Sequence, residues 1–290
     1  MSKKNWISFI FLGLVCGSTF MWIKLALREV NPTTLVFFRV LFAGIGLSVY
    51  FLLNRRKLQL RWWWVYAFIG LFNVALPFVL ISWAETHISS GLASILNSTF
   101  PLFTMAIASI FYKEDKLTLP RGLALMLGFL GVFILSYQKV ENSGGQLVGI
   151  IAMLISACSY GASTVFARRV ERMVSPEEHS LGQMLAALIF LTPAMFIVDS
   201  PVRLPSNPTT WMALLWMGLI VSFVAALLWF KMIYEIGPSR ASMIAYIFPL
   251  VGVLLGIIFL GEKLNWQVLA GGALILAGVY FVNSKWANGH

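Results

Sequence analysis

Hydrophobic residues come in ten runs along this chain, and charged or Pro/Gly-rich breaks separate them. Each run is near the roughly 20 residues that cross a hydrocarbon layer as a helix. The runs predict helices over Trp6–Ala26, Thr34–Leu53, Trp62–Trp83, Ser90–Phe111, Arg121–Gln138, Leu147–Ala167, Ser180–Val198, Thr210–Lys231, Ser239–Leu260 and Trp266–Asn283. Backbone polar groups inside lipid must be satisfied within the segment, which a helix of this length does. The breaks are short, so successive helices are expected to be antiparallel neighbours.

Composition points the same way. Of 290 residues, 59% are hydrophobic and 11% charged, with a mean hydropathy of +0.85. Soluble domains carry about 25% charged residues. The net charge of +10 could suggest a nucleic-acid partner, but the basic residues sit in short clusters between apolar runs, such as Arg55, Arg56, Lys57 and Arg61. Cytoplasmic loops of membrane proteins look like this, so nucleic acid is excluded as a partner and the bilayer takes its place. With the N-terminus inside, the inner segments hold Lys3, Lys4, Arg55, Arg56, Lys57, Arg61, Lys113, Lys116, Arg121, Arg168, Arg169, Arg172, Lys231, Arg240 and Lys285. The outer segments hold only Arg28, Lys139, Arg203 and Lys263. That bias places both termini in the cytoplasm. Cys16 and Cys158 fall inside apolar runs and read as small packing residues, not a disulfide framework. The first run lacks a small-residue cleavage site and is followed by further spans, so it is not expected to be a removable leader.

The two halves echo each other. ASILNSTFPLFTMAIASIFYKEDKL, from Ala93, aligns with ASMIAYIFPLVGVLLGIIFLGEKL, from Ala241. Phe100-Pro101-Leu102 matches Phe248-Pro249-Leu250, Glu114 matches Glu262, and Gly131-Val132 matches Gly278-Val279. A weaker echo pairs CGSTFMWIK, from Cys16, with YGASTVFAR, from Tyr160. Five helices is an odd number, so the second copy enters the bilayer from the opposite side. The expected architecture is all-α, with ten transmembrane helices in two inverted repeats around a central cavity, residues 1–140 and 141–290. Secondary transporters are commonly built this way, with the substrate near the midplane between the halves.

Polar residues at helical spacing inside apolar runs mark the candidate site, because a polar side chain at membrane depth must face protein or water. The fourth helix carries Ser90, Ser94, Asn97, Pro101 and Thr104 on one face, the ninth Ser239, Ser242, Tyr246, Pro249 and Gly252, and the sixth Ser156, Tyr160 and Ser163. Asn97, Tyr160 and Tyr246 are the expected polar contacts to substrate, with Ser94 and Ser163 beside them. Trp22, Trp83 and Trp229 are the expected aromatic walls. The competing reading of these stripes is interhelical hydrogen bonding. Pro101 and Pro249 each remove a backbone hydrogen bond and are expected to bend or hinge their helices. Lys24, Arg39 and Glu85 near the outer helix ends are candidates for a charged outer gate, against the alternative of snorkelling to headgroups. Gly13-x-x-x-Gly17 and Gly252-x-x-x-Gly256 permit close helix contact within one bundle, and a monomer is expected.

No P-loop occurs, and His87, His179 and His290 form no cluster with metal or catalytic spacing, so no cofactor, metal site or catalytic residue is expected. No acidic residue lies deep in a predicted helix, which leaves a carboxylate proton relay without support.

The phrases CGSTFMWIKLAL in helix 1, FFRVLFAG from Phe37, FPLFTMAIASIFYKEDKL and FPLVGVLLGIIFLGEKL, in this order and duplicated, resemble the EamA-type modules of the drug/metabolite transporter superfamily. The resemblance covers essentially the whole chain. It implies ten helices in two inverted EamA repeats and a multi-pass protein of a bacterial inner membrane. YddG-type members export amino acids, and other branches carry nucleotide sugars or triose phosphates. Lys24 and Arg39 match the family's recurring basic residues in helices 1 and 2. Arg168 stands where helix 1 has Lys24, and helix 7 offers no clear counterpart of Arg39. The resulting expectation is an exporter or facilitator of small zwitterionic metabolites working by alternating access. The rival readings are a carrier of sugar derivatives or quaternary amines and a membrane-embedded transferase, for which no reactive constellation is visible.

Overall fold

The computed structural model describes residues 3–112, 118–136, 145–170, 173–236, 244, 247–263 and 265–283. Ten helices and no strand run through the described residues. They are α1 (Lys3–Ala26), α2 (Pro32–Leu53), α3 (Leu60–Ala84), α4 (Ser90–Asn97 and Phe100–Phe111), α5 (Leu119–Ser136), α6 (Gly145–Val170) and α7 (Pro176–Val198). They continue with α8 (Pro208–Leu215, Trp216–Val224 and Ala225–Ile236), α9 (Ile247–Leu260) and α10 (Trp266–Asn283). Seven are long and apolar enough to cross a membrane, and Gly122–Leu135, Ile247–Leu260 and Trp266–Gly278 are shorter apolar stretches. The predicted Ser239–Leu260 helix is described only from Ile247.

Several helices begin earlier than their apolar runs, and capping explains why. Pro32, Pro176 and Pro208 follow Asn31, Ser175 and Asn207. Proline's fixed φ suits the first helical position, where no N–H partner is lost. The Ser175 hydroxyl accepts from Glu178 N while Glu178 reaches back to Ser175 N, which makes a capping box. These polar turns belong to the helix although no hydrophobic pattern marks them.

The bundle's outside is apolar. Leu53, Ile110 and Ile197 are 79%, 78% and 78% exposed, a surface that water would not tolerate and hydrocarbon accepts. Inside, the two halves interleave. Helix α1 packs on α9 as α6 packs on α4; α2 packs on α8 as α7 packs on α3. The pairs α2–α7, α4–α9 and α5–α10 join equivalent helices. This is the contact pattern of a two-fold axis in the membrane plane relating inverted repeats. Glycines set the close approaches. A Cβ on Gly13 or Gly17 would strike Ile247 or Val251 of α9, so the first GxxxG pair packs within the bundle. A Cβ on Gly131 would lie 2.6 Å from Gly271 O, locking α5 against α10.

Both third helices of the repeats widen into π turns, Gly70–Ala75 in α3 and Trp216–Val224 in α8. Such segments disturb the regular ladder and concentrate at functional sites. Gly70 abuts Gln183 O and Ala187 N of α7, while Gly218 abuts Arg39 O and Ala43 N of α2. The same packing device thus recurs across the two-fold.

Candidate functional site

A cavity of about 250 Å³ lies between the two halves. Helices α1 to α4 supply Cys16, Thr19, Phe20, Arg39, Asn73, Phe78, Asn97 and Phe100 to its wall. Tyr160, Gln183, Ser222, Trp229 and Phe248 come from α6 to α9. Neither α5 nor α10 reaches it. The wall is exposed at Thr164, towards the end of the bundle holding the N-terminus. At the other, distal end it is closed by Ile23 and Ile81, which are 1% and 6% exposed.

Arg39 is the cavity's cation. The residue is 6% exposed, and its guanidinium lies 3.9 Å over the Phe78 ring, where the ring's negative face attracts it. Arg39 Nε donates to Ser222 Oγ at 2.8 Å. Among the described residues no carboxylate forms an ion pair with it. On the opposite side Asn73 Nδ2 donates to Gln183 Oε1 at 2.9 Å. These two bonds join equivalent helices, with the donor on α2 in one and on α3 in the other. Arg39 follows Pro32 by the same interval at which Gln183 follows Pro176, and each partner lies in a π turn. Gln183 is therefore the counterpart of Arg39 that the sequence comparison of the halves did not find; a neutral amide replaces the charge.

Asn97 lies in the wall with Oδ1 buried and without a hydrogen-bond partner among the described residues, as does Thr19 Oγ1. Helix α4 is interrupted at Ser98–Thr99, whose hydroxyls turn back to Ile95 O and Leu96 O. Pro101 starts the second segment and lacks the N–H that would reach the Asn97 carbonyl. Asn97 thus brings acceptor capacity to the cavity at the helix break. Pro249 sits in the first turn of the described part of α9.

Of the residues singled out from sequence, Arg39, Asn97, Tyr160 and Trp229 come together in the cavity. Tyr246 lies outside the described residues. Ser94 is buried, donates to Gly91 O and fills the notch that Gly252 leaves between α4 and α9. Ser163 is buried at 1% exposure away from the wall. Its neighbours Ser156 and Ser159 donate to Pro77 O and Phe72 O of α3, which is interhelical hydrogen bonding. Trp22 packs against Trp216, and Trp83 is at the surface on His87. Sequence reasoning missed Thr19, Asn73, Gln183 and Ser222. Asn73 and Gln183 carry a readable signal, an amide within an apolar run; Thr19 and Ser222 resemble ordinary packing residues.

The distal end is tied across the halves by carboxylates on backbone N–H groups. Asp199, ending α7, accepts from Thr34 N and Thr34 Oγ1 at 2.6 and 2.8 Å. Glu262, after α9, accepts from Ser90 N and Gly91 N at 2.7 and 3.0 Å. Glu29, after α1, accepts from Asn207 N at 3.0 Å and from Ser206. Each carboxylate meets a helix N-terminus of the other half, where the unpaired N–H groups and the helix dipole favour an anion. Hydrogen bonds from Ser206 and Thr210 pull the Glu29 carboxyl down to about 2. Lys24 Nζ donates to Glu85 O and to Ile88 O, the latter at 2.8 Å, so it caps the end of α3 and does not snorkel. Glu85 itself is fully buried. At the N-terminal end the ties include a half-exposed Arg56–Glu177 pair at 3.1 Å, Gln59 N donating to Glu178 Oε1 at 3.3 Å and Tyr112 OH donating to Val165 O at 3.3 Å, with Arg168 over the Tyr112 ring.

Ten apolar helices, inverted repeats and a central, mostly apolar cavity with a few polar groups define a membrane transporter fold. The chain belongs to the EamA-like transporter family, whose model matches residues 4–137 and 147–284. It is 28% identical over 285 residues to an uncharacterized transporter of Archaeoglobus fulgidus, covering 97% of this chain and 99% of that one. It is 29% identical to the inner membrane transporter YedA of Escherichia coli K12, covering 95% and 89%. It is 23% identical to the transporter YoaV of Bacillus subtilis, covering 96% of each. A solved crystal structure superposes with a TM-score of 0.68 at 17% identity, over 97% of this chain and 96% of that one, which establishes the shared fold. The protein is a transporter of the EamA type in the drug/metabolite transporter superfamily.

Proposed function

We propose that the cargo is a small carboxylate-bearing metabolite, an amino acid or similar zwitterion, moved by alternating access. The observation that supports this most directly is Arg39, a buried cation in the cavity wall that makes no ion-pair contact with a carboxylate among the described residues. A buried charge favours a counter-charge, and a guanidinium fork suits a carboxylate. Asn97 Oδ1 and Thr19 Oγ1 supply acceptors for an ammonium group. The phenyl rings of Phe20, Phe78, Phe100 and Phe248 suit an apolar side chain. At about 250 Å³ the cavity falls below the range of drug-sized sites and suits one small molecule. The neutral amides Asn73, Asn97 and Gln183 favour a second reading, a sugar derivative; a quaternary amine would meet the Arg39 charge.

In this reading the two repeats rock about the axis. The distal end faces outside, both termini are cytoplasmic, and the structure is the inward-facing state. The protein acts as a monomer in a bacterial inner membrane, without catalysis or cofactor. Counterflow in proteoliposomes loaded with a panel of amino acids tests it. Saturable exchange of one class is expected. No exchange with any amino acid, alongside exchange of sugar derivatives, overturns the cargo in favour of the second reading.

A further inference from the structure

Glu85 ends α3 at the distal closure. It is 0% exposed, and neither carboxylate oxygen has a hydrogen-bond partner among the described residues. The charged groups facing it are Lys24 of α1, Glu262 of the α9–α10 connection and Arg39 of α2. From α6, the first described turn, Gly145–Gly149, carries no titratable side chain. The adjacent start of α4, Ser89–Gly91, carries none either. His87 stands two residues on, exposed. Lys24 directs its ammonium to the carbonyls of Glu85 and Ile88 and forms no ion pair with the Glu85 carboxylate. Glu262 is committed to Ser90 N and Gly91 N.

We propose that Glu85 is a proton-binding site that couples distal opening of the halves to pH. A carboxylate sealed from water with no donor on either oxygen takes up a proton in preference to staying ionised. An ionisable group buried in a membrane bundle marks a functional site by default. Sealed, the group is the neutral acid. Opening the distal end parts Glu262 from the α4 N-terminus, because that contact joins the two halves. Water then reaches Glu85, and its proton leaves to the external water. Reclosing would bring the ionised group and Glu262 together as two like charges beside one helix start, and that repulsion opposes closure until a proton is taken up. Closing takes one proton back. A metal ion fits less well, because the Lys24 ammonium shares the site and no cluster of three metal-ligating side chains occurs among the described residues.

Linkage fixes the sign. The closed state binds the extra proton, so raising pH favours opening, by up to about tenfold in the open:closed ratio per pH unit for one linked proton. Glu29 acts oppositely, since acid weakens its tie across the same end.

This inference rests on the alternating-access reading but on no cargo, so it is tested without substrate. In a Cys16→Ala, Cys158→Ala background, spin labels at Thr86 and Lys263 straddle the distal closure. Inter-label distances are measured in nanodiscs between about pH 5 and about pH 9, a range spanning a perturbed carboxyl, with choline or sodium as the cation. A long-distance population that grows with pH, and is absent in Glu85→Gln at every pH, supports the proposal. A pH dependence unchanged in Glu85→Gln overturns it. So does a wild-type distance that ignores pH, whatever the variant does, and so does a shift that follows sodium at constant pH. A failed counterflow experiment leaves all these outcomes readable, and so separates the cargo from the gate.

Discussion

Arg39 with Ser222 and Gln183 with Asn73 are one contact built twice with the donor exchanged: α2 donates to α8, whereas α7 accepts from α3. Both donor–acceptor pairs join a second helix to the π turn of a third, and both are backed by a glycine that lets the helix backbones touch. Only one pair carries charge. The duplicated part, the π turns and glycines, serves a motion the halves must share. The part that differs gives the cavity a direction and a single cation. A symmetric scaffold thus holds an asymmetric site, and the difference lies in the side chain at one position of α2 and α7.

The strongest test of that comparison makes the halves alike. Arg39→Gln is expected to keep the fold and to weaken binding of a carboxylate cargo by roughly 10- to 100-fold, the worth of about 1.5–3 kcal/mol for a hydrogen bond to a charged group. Gln183→Ala, which leaves Asn73 without its partner, is expected to reduce stability by about 1–3 kcal/mol and affinity far less. Binding titration and thermal unfolding in detergent separate the two effects. Equal losses of affinity in both variants would mean that the charge is not what distinguishes the pairs.

The shared scaffold is tested next. An added methyl at Gly70 would lie 2.8 Å from the Ala186 methyl and from Gln183 O, and one at Gly218 would lie 2.6 Å from the Phe42 Cβ. Overpacking of this kind costs about 1–3 kcal/mol, so Gly70→Ala and Gly218→Ala are expected to lower Tm by similar amounts. If one of them is silent in a thermal melt, the two contacts are not equivalent.

The smallest effect concerns the distal ties. Glu29, usually near 4.5, is held down to about 2 by its hydrogen bonds to Ser206, Thr210 and Asn207. A carboxyl with a depressed folded value stabilises the folded state above its ordinary value, and that contribution is lost as pH falls through the depressed one. The wild-type advantage over Glu29→Gln is therefore expected at neutral pH and should shrink between about pH 4.5 and about pH 2. An advantage that grows with acid would reverse the assigned sign. The N-terminal Arg56–Glu177 pair is half exposed and is expected to contribute little.

The chain's hydrophobic rhythm determined much of this protein. Each apolar run became a helix among the described residues, because in lipid a run of that length has no other way to satisfy its backbone. The shared Phe-Pro-Leu phrase and the matched Glu114 and Glu262 exposed the duplication, and five helices per copy forced the inversion. Asn97, Tyr160, Trp229 and Arg39 were legible as polar, aromatic or charged residues in apolar surroundings, and the structure gathers them in one cavity. Ser94 and Ser163 carried the same signal without reaching the cavity; the Ser94 hydroxyl satisfies itself on Gly91 O, and spacing does not tell such a residue from a cavity one. Tertiary structure alone decided the rest. The π turns are invisible to a 3.6-residue pattern. The kinship of Gln183 with Arg39 needed the packed halves, because an amide and a guanidinium share no sequence signature. The burial of Glu85 arose from α1, α4 and the α9–α10 connection closing over the end of α3, contacts between segments far apart in the chain that no local pattern encodes.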